Sequence, residues 1–268
     1  MKKGIGVGIE DFREVIREDC YYFDKTNYIE ELIKDKTKIK LFTRPRRFGK
    51  TLNMSTLKYF FDVKNAEENR KLFKDLYIEK SEYFKEQGQY PVIFITLKDL
   101  KKNTWKEMNF EIKELLRNLY DEFNFIRDTL SISDLREFDK IWLKEEDANY
   151  DSSLLNLTKY LYNYYKKEVV LLIDEYDSPL IMANQRGYYK DSINFFRNFL
   201  SLALKTNSYL KMGVLTGIVQ VAKEGIFSGL NNVITYNILR NDFKTFFGLS
   251  EEEVEKALKY FELEYKIE

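Results

Sequence analysis

The sequence predicts an α/β fold, a three-layer sandwich on a mostly parallel sheet, with a small helical part at its C-terminal end. Two observations carry this expectation. Lys38–Thr43 reads as a strand, apolar runs at Tyr90–Leu97 and Leu210–Ile218 read as two more, and the continuous apolar run Val169–Asp174 reads as a central strand buried on both faces. Amphipathic segments with helical spacing separate them, and strands alternating with helices imply parallel crossover units.

Taken in order, residues 1–35 read as a helical lead-in. A short helix is expected after Glu10, then the turn Tyr21-Tyr-Phe-Asp-Lys-Thr26, then a helix through Tyr28–Ile33. Residues 36–232 hold the core. The strand ending at Thr43 runs into a turn and then a helix marked by Leu52, Met54, Leu57, Phe60 and Phe61. A long amphipathic helix follows the second strand, with Trp105, Met108, Ile112, Leu115, Leu116, Leu119 and Phe123 on one face. Helices are expected at Leu135–Leu143, Leu154–Tyr165 and Asn194–Leu204. Residues 233–268 form a C-terminal extension, where Ser250-Glu-Glu-Glu253 is a capping box opening a helix to about Phe261.

Bulk properties narrow the chemistry. The 268 residues balance 44 Lys+Arg against 44 Asp+Glu, which argues against a globally basic nucleic-acid protein. With no histidine in the chain, imidazole base catalysis and His-built zinc sites are excluded; carboxylates and an oxygen-ligated metal such as Mg²⁺ remain. Cys20 is the sole cysteine, so no internal disulfide forms and a reducing compartment is expected. The start lacks the apolar core of a secretory signal and no later run approaches a membrane span, so the expectation is a cytoplasmic protein without a membrane partner.

The chemistry-bearing motif is Thr43-Arg-Pro-Arg-Arg-Phe-Gly-Lys-Thr51. A strand entering a Gly-Lys-Thr turn that opens a helix is the arrangement of a phosphate-binding loop (Walker A). Polyphosphate is best held by backbone N–H groups converging on a helix N-terminus. Gly49 lets the backbone come close, Lys50 reaches the β- and γ-phosphates, and Thr51 takes one place on Mg²⁺. The candidate nucleotide-binding set is Arg46, Arg47, Phe48, Gly49, Lys50, Thr51 and Leu52. Arg44 stands where the usual pattern has its first glycine, and with Arg46, Arg47 and Lys50 it makes the strongest basic patch, which phosphate binding would explain.

A second motif lies downstream. Val169-Val-Leu-Leu-Ile-Asp-Glu175 is an apolar strand ending in two acids (Walker B), and ligands in open α/β sheets bind beyond the C-terminal strand ends. Asp174 is placed to hold Mg²⁺ and Glu175 to polarise an attacking water; the alternative is that the acids cap the next helix or face solvent. Thr216, near the end of its strand, is a candidate γ-phosphate sensor, with a bond to nearby backbone as the alternative. The Asp24-Lys25-Thr26 turn either frames a nucleotide base, with Tyr22 or Phe23 stacking on it, or is a helix cap with aromatic anchors. Lys223 is read as a phosphate contact or a solvated lysine.

Together with Phe23-Asp-Lys-Thr26, Leu172-Ile-Asp-Glu-Tyr-Asp-Ser-Pro179, Leu215-Thr-Gly217, Ile226-Phe-Ser-Gly-Leu-Asn-Asn232 and Phe247-Gly-Leu-Ser-Glu-Glu-Glu-Val254, the Arg-Pro-Arg-Arg-Phe-Gly-Lys segment resembles the predicted AAA-ATPase-like family of bacteria and archaea. The resemblance implies an additional-strand P-loop NTPase core, with the Thr216 strand between the acidic and phosphate-loop strands. It implies ATP and Mg²⁺ as cofactors, with Gly49, Lys50 and Thr51 as the phosphate and metal loop, Asp174 and Glu175 as the acidic pair and Thr216 as sensor. Family members often continue into a nuclease-like domain, which is expected to be absent here. They also tend to carry Arg or Lys where this chain has Gln220, so hydrolysis is expected to be slow unless Arg46, Arg47 or a second subunit's arginine substitutes.

The leading expectation is a Mg²⁺-dependent ATPase whose hydrolysis drives a conformational change in a nucleic-acid-directed or defence-related system. A nucleotide-gated switch or scaffold with negligible hydrolysis is the alternative. A DNA-binding module is a third reading, disfavoured by neutral net charge. DNA, a protein partner and a homo-oligomer are the partners considered.

Overall fold

Five strands, β1 (Ile39–Thr43), β2 (Val92–Thr96), β3 (Val169–Asp174), β4 (Leu210–Gly217) and β5 (Val233–Tyr236), form one sheet in the order β2-β3-β4-β1-β5. This computed structural model describes residues 2–219 and 232–263. Its helices are α1 (Phe12–Arg17), α2 (Asn27–Lys34), α3 (Lys50–Phe61), α4 (Ala66–Arg70), α5 (Trp105–Glu122), α6 (Ile132–Trp142), α7 (Ser153–Tyr165), α8 (Ser178–Arg186), α9 (Tyr189–Leu204) and α10 (Glu251–Phe261). The chain divides into two units. One comprises Met1–Lys36, Arg44–Gln89 and Tyr236–Glu268, the other Thr37–Thr43 and Tyr90–Thr235.

The second unit holds the sheet core. β2, β3, β4 and β1 pair in parallel, with Thr96 opposite Asp174, Ile173 opposite Leu215, and Phe42 and Thr43 opposite Thr216 and Gly217. Every residue of β1 and β3 is buried, which is why β3 reads as an unbroken apolar run up to Asp174 without alternation. Lys40 meets the same condition by reaching the Thr37 carbonyl with its ammonium. Around the strands, Met108, Ile112 and Leu116 of α5, Leu154, Leu157 and Leu161 of α7, and Phe196, Leu200 and Leu204 of α9 join one hydrophobic cluster. Each fully buried Leu or Phe contributes about 1.5–3 kcal/mol.

The first unit has its own aromatic core. Phe12 of α1 and Phe60 of α3 pack on Phe73 with ring centroids 5.1 and 5.4 Å away. The Phe12 amide donates to the Ser55 hydroxyl, and the Tyr28 hydroxyl donates to the Asn53 carbonyl, so α1, α2 and α3 are tied together. The capping box at Ser250 and Glu253 forms as the sequence predicts, and α10 ends at Phe261.

Several features escaped the sequence reading, α4 among them. α8 opens at Ser178-Pro179, where proline in the first helical turn was a usable signal. β5 is only four residues long and not fully buried, so its pattern is weak. Residues 71–86 form three short 3₁₀ turns, which lack an amphipathic period long enough to read.

Candidate functional site

β1 ends at Thr43, and the chain continues directly through Arg44–Gly49 into α3. Within the first unit, Arg47 and Gly49 both adopt left-handed backbone, φ 66° and 71°. Gly49 is the N-cap of α3, where its missing Cβ removes the steric cost of that conformation. Lys50, the first helical residue, is only 6% exposed. Its ammonium donates to the carbonyls of Arg44 (3.1 Å) and Pro45 (2.8 Å), so the loop curls around the lysine. Arg46 and Arg47 are exposed, while Phe48, Thr51 and Leu52 are half-buried.

Arg44 does not share in the basic patch anticipated from the sequence. Its side chain is buried, and its guanidinium donates to the backbone carbonyls of Tyr236 (2.6 Å) and Phe243 (3.3 Å) while lying 5.0 Å from the Phe247 ring centroid. Burial lowers its pKa, but a guanidinium stays charged at that depth. The residue in place of the usual first glycine therefore braces the loop against the C-terminal segment.

That segment holds the loop at further points. The Gly248 backbone amide donates to the Phe48 carbonyl (3.1 Å) and the Asn53 side-chain amide to the Phe246 carbonyl (2.9 Å). Gly248 has φ 77°, and a Cβ there would stand 3.0 Å from the Phe48 ring. The Asp24-Lys25-Thr26 turn is anchored to the same stretch. Lys25, almost fully buried, donates to the Thr245 carbonyl (2.7 Å) and to the Glu253 carboxylate (2.6 Å). Burial pushes the Glu253 pKa up, but the Lys25 ammonium and the Ser250 amide outweigh it and bring it below the ordinary value. Asp24 accepts from the Thr26 amide and hydroxyl (2.8 and 2.6 Å) and from the Tyr77 amide (2.7 Å). Thr26 sits at the N-cap of α2, yet its hydroxyl makes no capping bond and accepts instead from the Ile78 amide at 3.1 Å.

In the second unit, the strand register brings Thr43, Asp174 and Thr216 to the C-terminal edge of the parallel sheet. Asp174 is fully buried and accepts a hydrogen bond from the Thr216 hydroxyl. The Glu175 amide donates back to that hydroxyl at 3.4 Å. Glu175 takes left-handed backbone, φ 50°, an unfavourable conformation for a residue with a Cβ. Its carboxylate accepts from the Ser178 hydroxyl at 2.8 Å and lies 4.0 Å from the Lys101 ammonium.

Asp177 was missed in the sequence reading, although it stands in the same Asp-Glu-Tyr-Asp run. It is fully buried. One carboxylate oxygen accepts from the amides of Ile218 and Val219, both at 2.8 Å. The other has no partner among the described residues and would lie 2.8 Å from a Cβ at Gly217, so only glycine fits there. Burial raises its pKa, partly offset by the Val219 and Ile218 amides. The expectations for Gln220, Lys223 and, but for its last residue, the Ile226–Asn232 block fall outside the described residues.

An α/β chain with a glycine-capped phosphate-loop-like turn after one parallel strand and an acidic pair after another defines the class. A family model described as "Predicted AAA-ATPase" matches residues 6–227, and the chain belongs to that AAA-ATPase-like family. It is also similar to an uncharacterized protein in the vnfD 5' region of Azotobacter chroococcum mcd 1, at 26% identity over 234 residues. The match covers 87% of this chain but only 40% of that relative's length. No solved structure matches the chain.

Proposed function

We propose that the protein is a P-loop ATPase that binds ATP with Mg²⁺ through the Arg46–Leu52 loop and hydrolyses it with Glu175 as the water-polarising group. The observation that carries this reading is the strand order β3-β4-β1, whose register sets Asp174 and Thr216 on the same C-terminal sheet edge as Thr43, the last residue of β1. Ligands in open α/β sheets occupy that edge.

The residues present suit the nucleotide and its metal. Lys50 is bound by two carbonyl oxygens, acceptors that phosphate oxygens replace without desolvating the ammonium further. Left-handed residues at 47 and 49 belong to the kind of turn in which successive backbone N–H groups converge on an anion, ahead of a twelve-residue helix. Thr51 and Asp174 supply the hard oxygen ligands Mg²⁺ prefers. Bound Mg²⁺ would neutralise charge on the phosphates. Thr216 holds the Asp174 carboxylate through its hydroxyl and so fixes the direction of that ligand. Glu175 is the remaining carboxylate at the strand end, with Ser178 and Lys101 determining where it rests.

The same restraint on Glu175 favours a second reading, a nucleotide-gated switch with negligible turnover that serves a nucleic-acid-directed or defence-related system. Calorimetry of ATP with Mg²⁺, paired with phosphate release, separates the two. Lys50→Ala is expected to abolish ATP binding, and Glu175→Gln to retain binding and lose release. Unchanged affinity in Lys50→Ala would refute the loop assignment. Binding by the wild type without release would leave the switch.

A further inference from the structure

Beside the phosphate loop, wholly within the first unit, lies a cavity of about 260 Å³. Arg47, Phe48, Gly49 and Leu52 of the loop and α3 form one wall. The aromatic run Tyr21–Phe23 with Cys20 forms another, and Phe246, Gly248 and Leu249 a third. The lining is predominantly apolar. Its volume falls just under the ~300 Å³ at which pockets for whole drug-sized ligands begin, a size for a ring system.

We propose that this cavity is the nucleobase subsite and takes the purine ring of the nucleotide whose phosphates the Gly49–Thr51 turn holds, with the Cys20 thiol in its wall. The inference rests on the phosphate-loop reading and adds a specific place for the base. Three observations support it. The cavity shares Gly49 and Phe48 with the loop, so a ligand can span both without a gap. Phe48 is half-exposed, packs on the backbone of Gly248 and has no ring partner among the described residues, whereas Tyr21 and Phe23 pair with each other at 5.1 Å and Tyr22 pairs with Phe12 at 5.3 Å. A flat π-system is the occupant that an unpaired ring beside an apolar cavity accommodates best. The walls are also held in place, by Lys25 on Glu253 and Thr245, Asn53 on the Phe246 carbonyl, and the Gly248 amide on Phe48.

Because Cys20 is the sole cysteine, its thiol reports on the cavity without any mutation. The wild-type protein is treated with a small thiol reagent alone and with ATP, adenosine or inorganic tripolyphosphate. ATP and adenosine are expected to slow the reaction at least ~5-fold, and tripolyphosphate, which has no base, to leave it unchanged. Calorimetry adds the affinities. Wild type is expected to bind ATP ~10-fold or more tighter than tripolyphosphate, the gain typical of a base stacked on an aromatic ring. Cys20→Phe, which fills the slot, is expected to erase that advantage while tripolyphosphate affinity stays the same. ATP affinity unchanged in a folded Cys20→Phe protein, or equal protection by ATP and tripolyphosphate, would overturn the base subsite and leave the phosphate loop standing. Binding of neither ATP nor tripolyphosphate by the wild type would remove the phosphate-loop reading and this inference with it.

Discussion

The guanidinium of Arg44 donates a 2.6 Å hydrogen bond to the backbone carbonyl of Tyr236, a residue 192 positions away in the chain. A second bond reaches Phe243, and the whole group is buried. The arginine that replaces a glycine in the loop motif thus ties the loop to a segment beyond residue 227, where the family match ends.

Arg44→Ala leaves two buried carbonyls without their charged donor. Hydrogen bonds to charged groups are worth ~1.5–3 kcal/mol each, so the variant is expected to lose about 3 kcal/mol in urea unfolding. Arg44→Lys keeps the charge but not the planar fork and is expected to recover only part of the loss. Wild-type stability in Arg44→Ala would show that the bonds are dispensable.

Thr216 links both acids of the strand end, donating to Asp174 and accepting from the Glu175 amide. Thr216→Val keeps the shape and removes both bonds, at an expected cost of ~1–3 kcal/mol. Thr216→Ser, which retains the hydroxyl, should cost less. Comparative chemical denaturation of the two variants checks the order.

Asp177 carries a pH dependence of definite sign. Its folded pKa is raised above the unfolded value by burial, so between the two values the folded state binds more protons and stability falls as pH rises. Asp177→Asn removes this titration and keeps an acceptor for the Ile218 and Val219 amides. The stability of wild type relative to Asp177→Asn is expected to be greater at pH 3.5 than at pH 7. Unfolding curves at both pH values test it, and a difference independent of pH would contradict it.

Lys25 and Glu253 predict the opposite slope. The Glu253 pKa is depressed in the folded state, so its contribution is present above the unfolded carboxylate pKa and is lost as pH falls through the folded one. Lys25→Met leaves a partly buried carboxylate without its cation and is expected to cost about 2 kcal/mol at pH 7. The deficit should shrink on acidification below about pH 4. Thermal melts of both proteins at pH 7 and pH 3.5 measure it.

β3 was legible because it is buried on both faces, leaving an unbroken apolar run at 169–173, β4 because only Lys211 of 210–217 is exposed, and α10 because it begins with a capping box of local sequence. α8 and β5 were not, the first being short and weakly amphipathic and the second four residues at the sheet edge. Candidate residues such as Gly49, Lys50, Asp174 and Glu175 were readable from local motif chemistry. Asp177 was not, because its partners Ile218 and Val219 lie more than forty positions downstream.

The sequence by itself determined the alternation of strands and helices, the loop motif at 43–51 and the acidic pair at 174–175, because period, capping and motif spacing are properties of neighbouring residues. Only the tertiary structure decided that Arg44 is a buried brace, that Lys25 pairs with Glu253, and that Asp177 lies buried against Gly217. Each of these depends on which distant backbone carbonyl, amide or side chain meets a polar group removed from water. Burial makes that partner obligatory, and the folded chain alone specifies it.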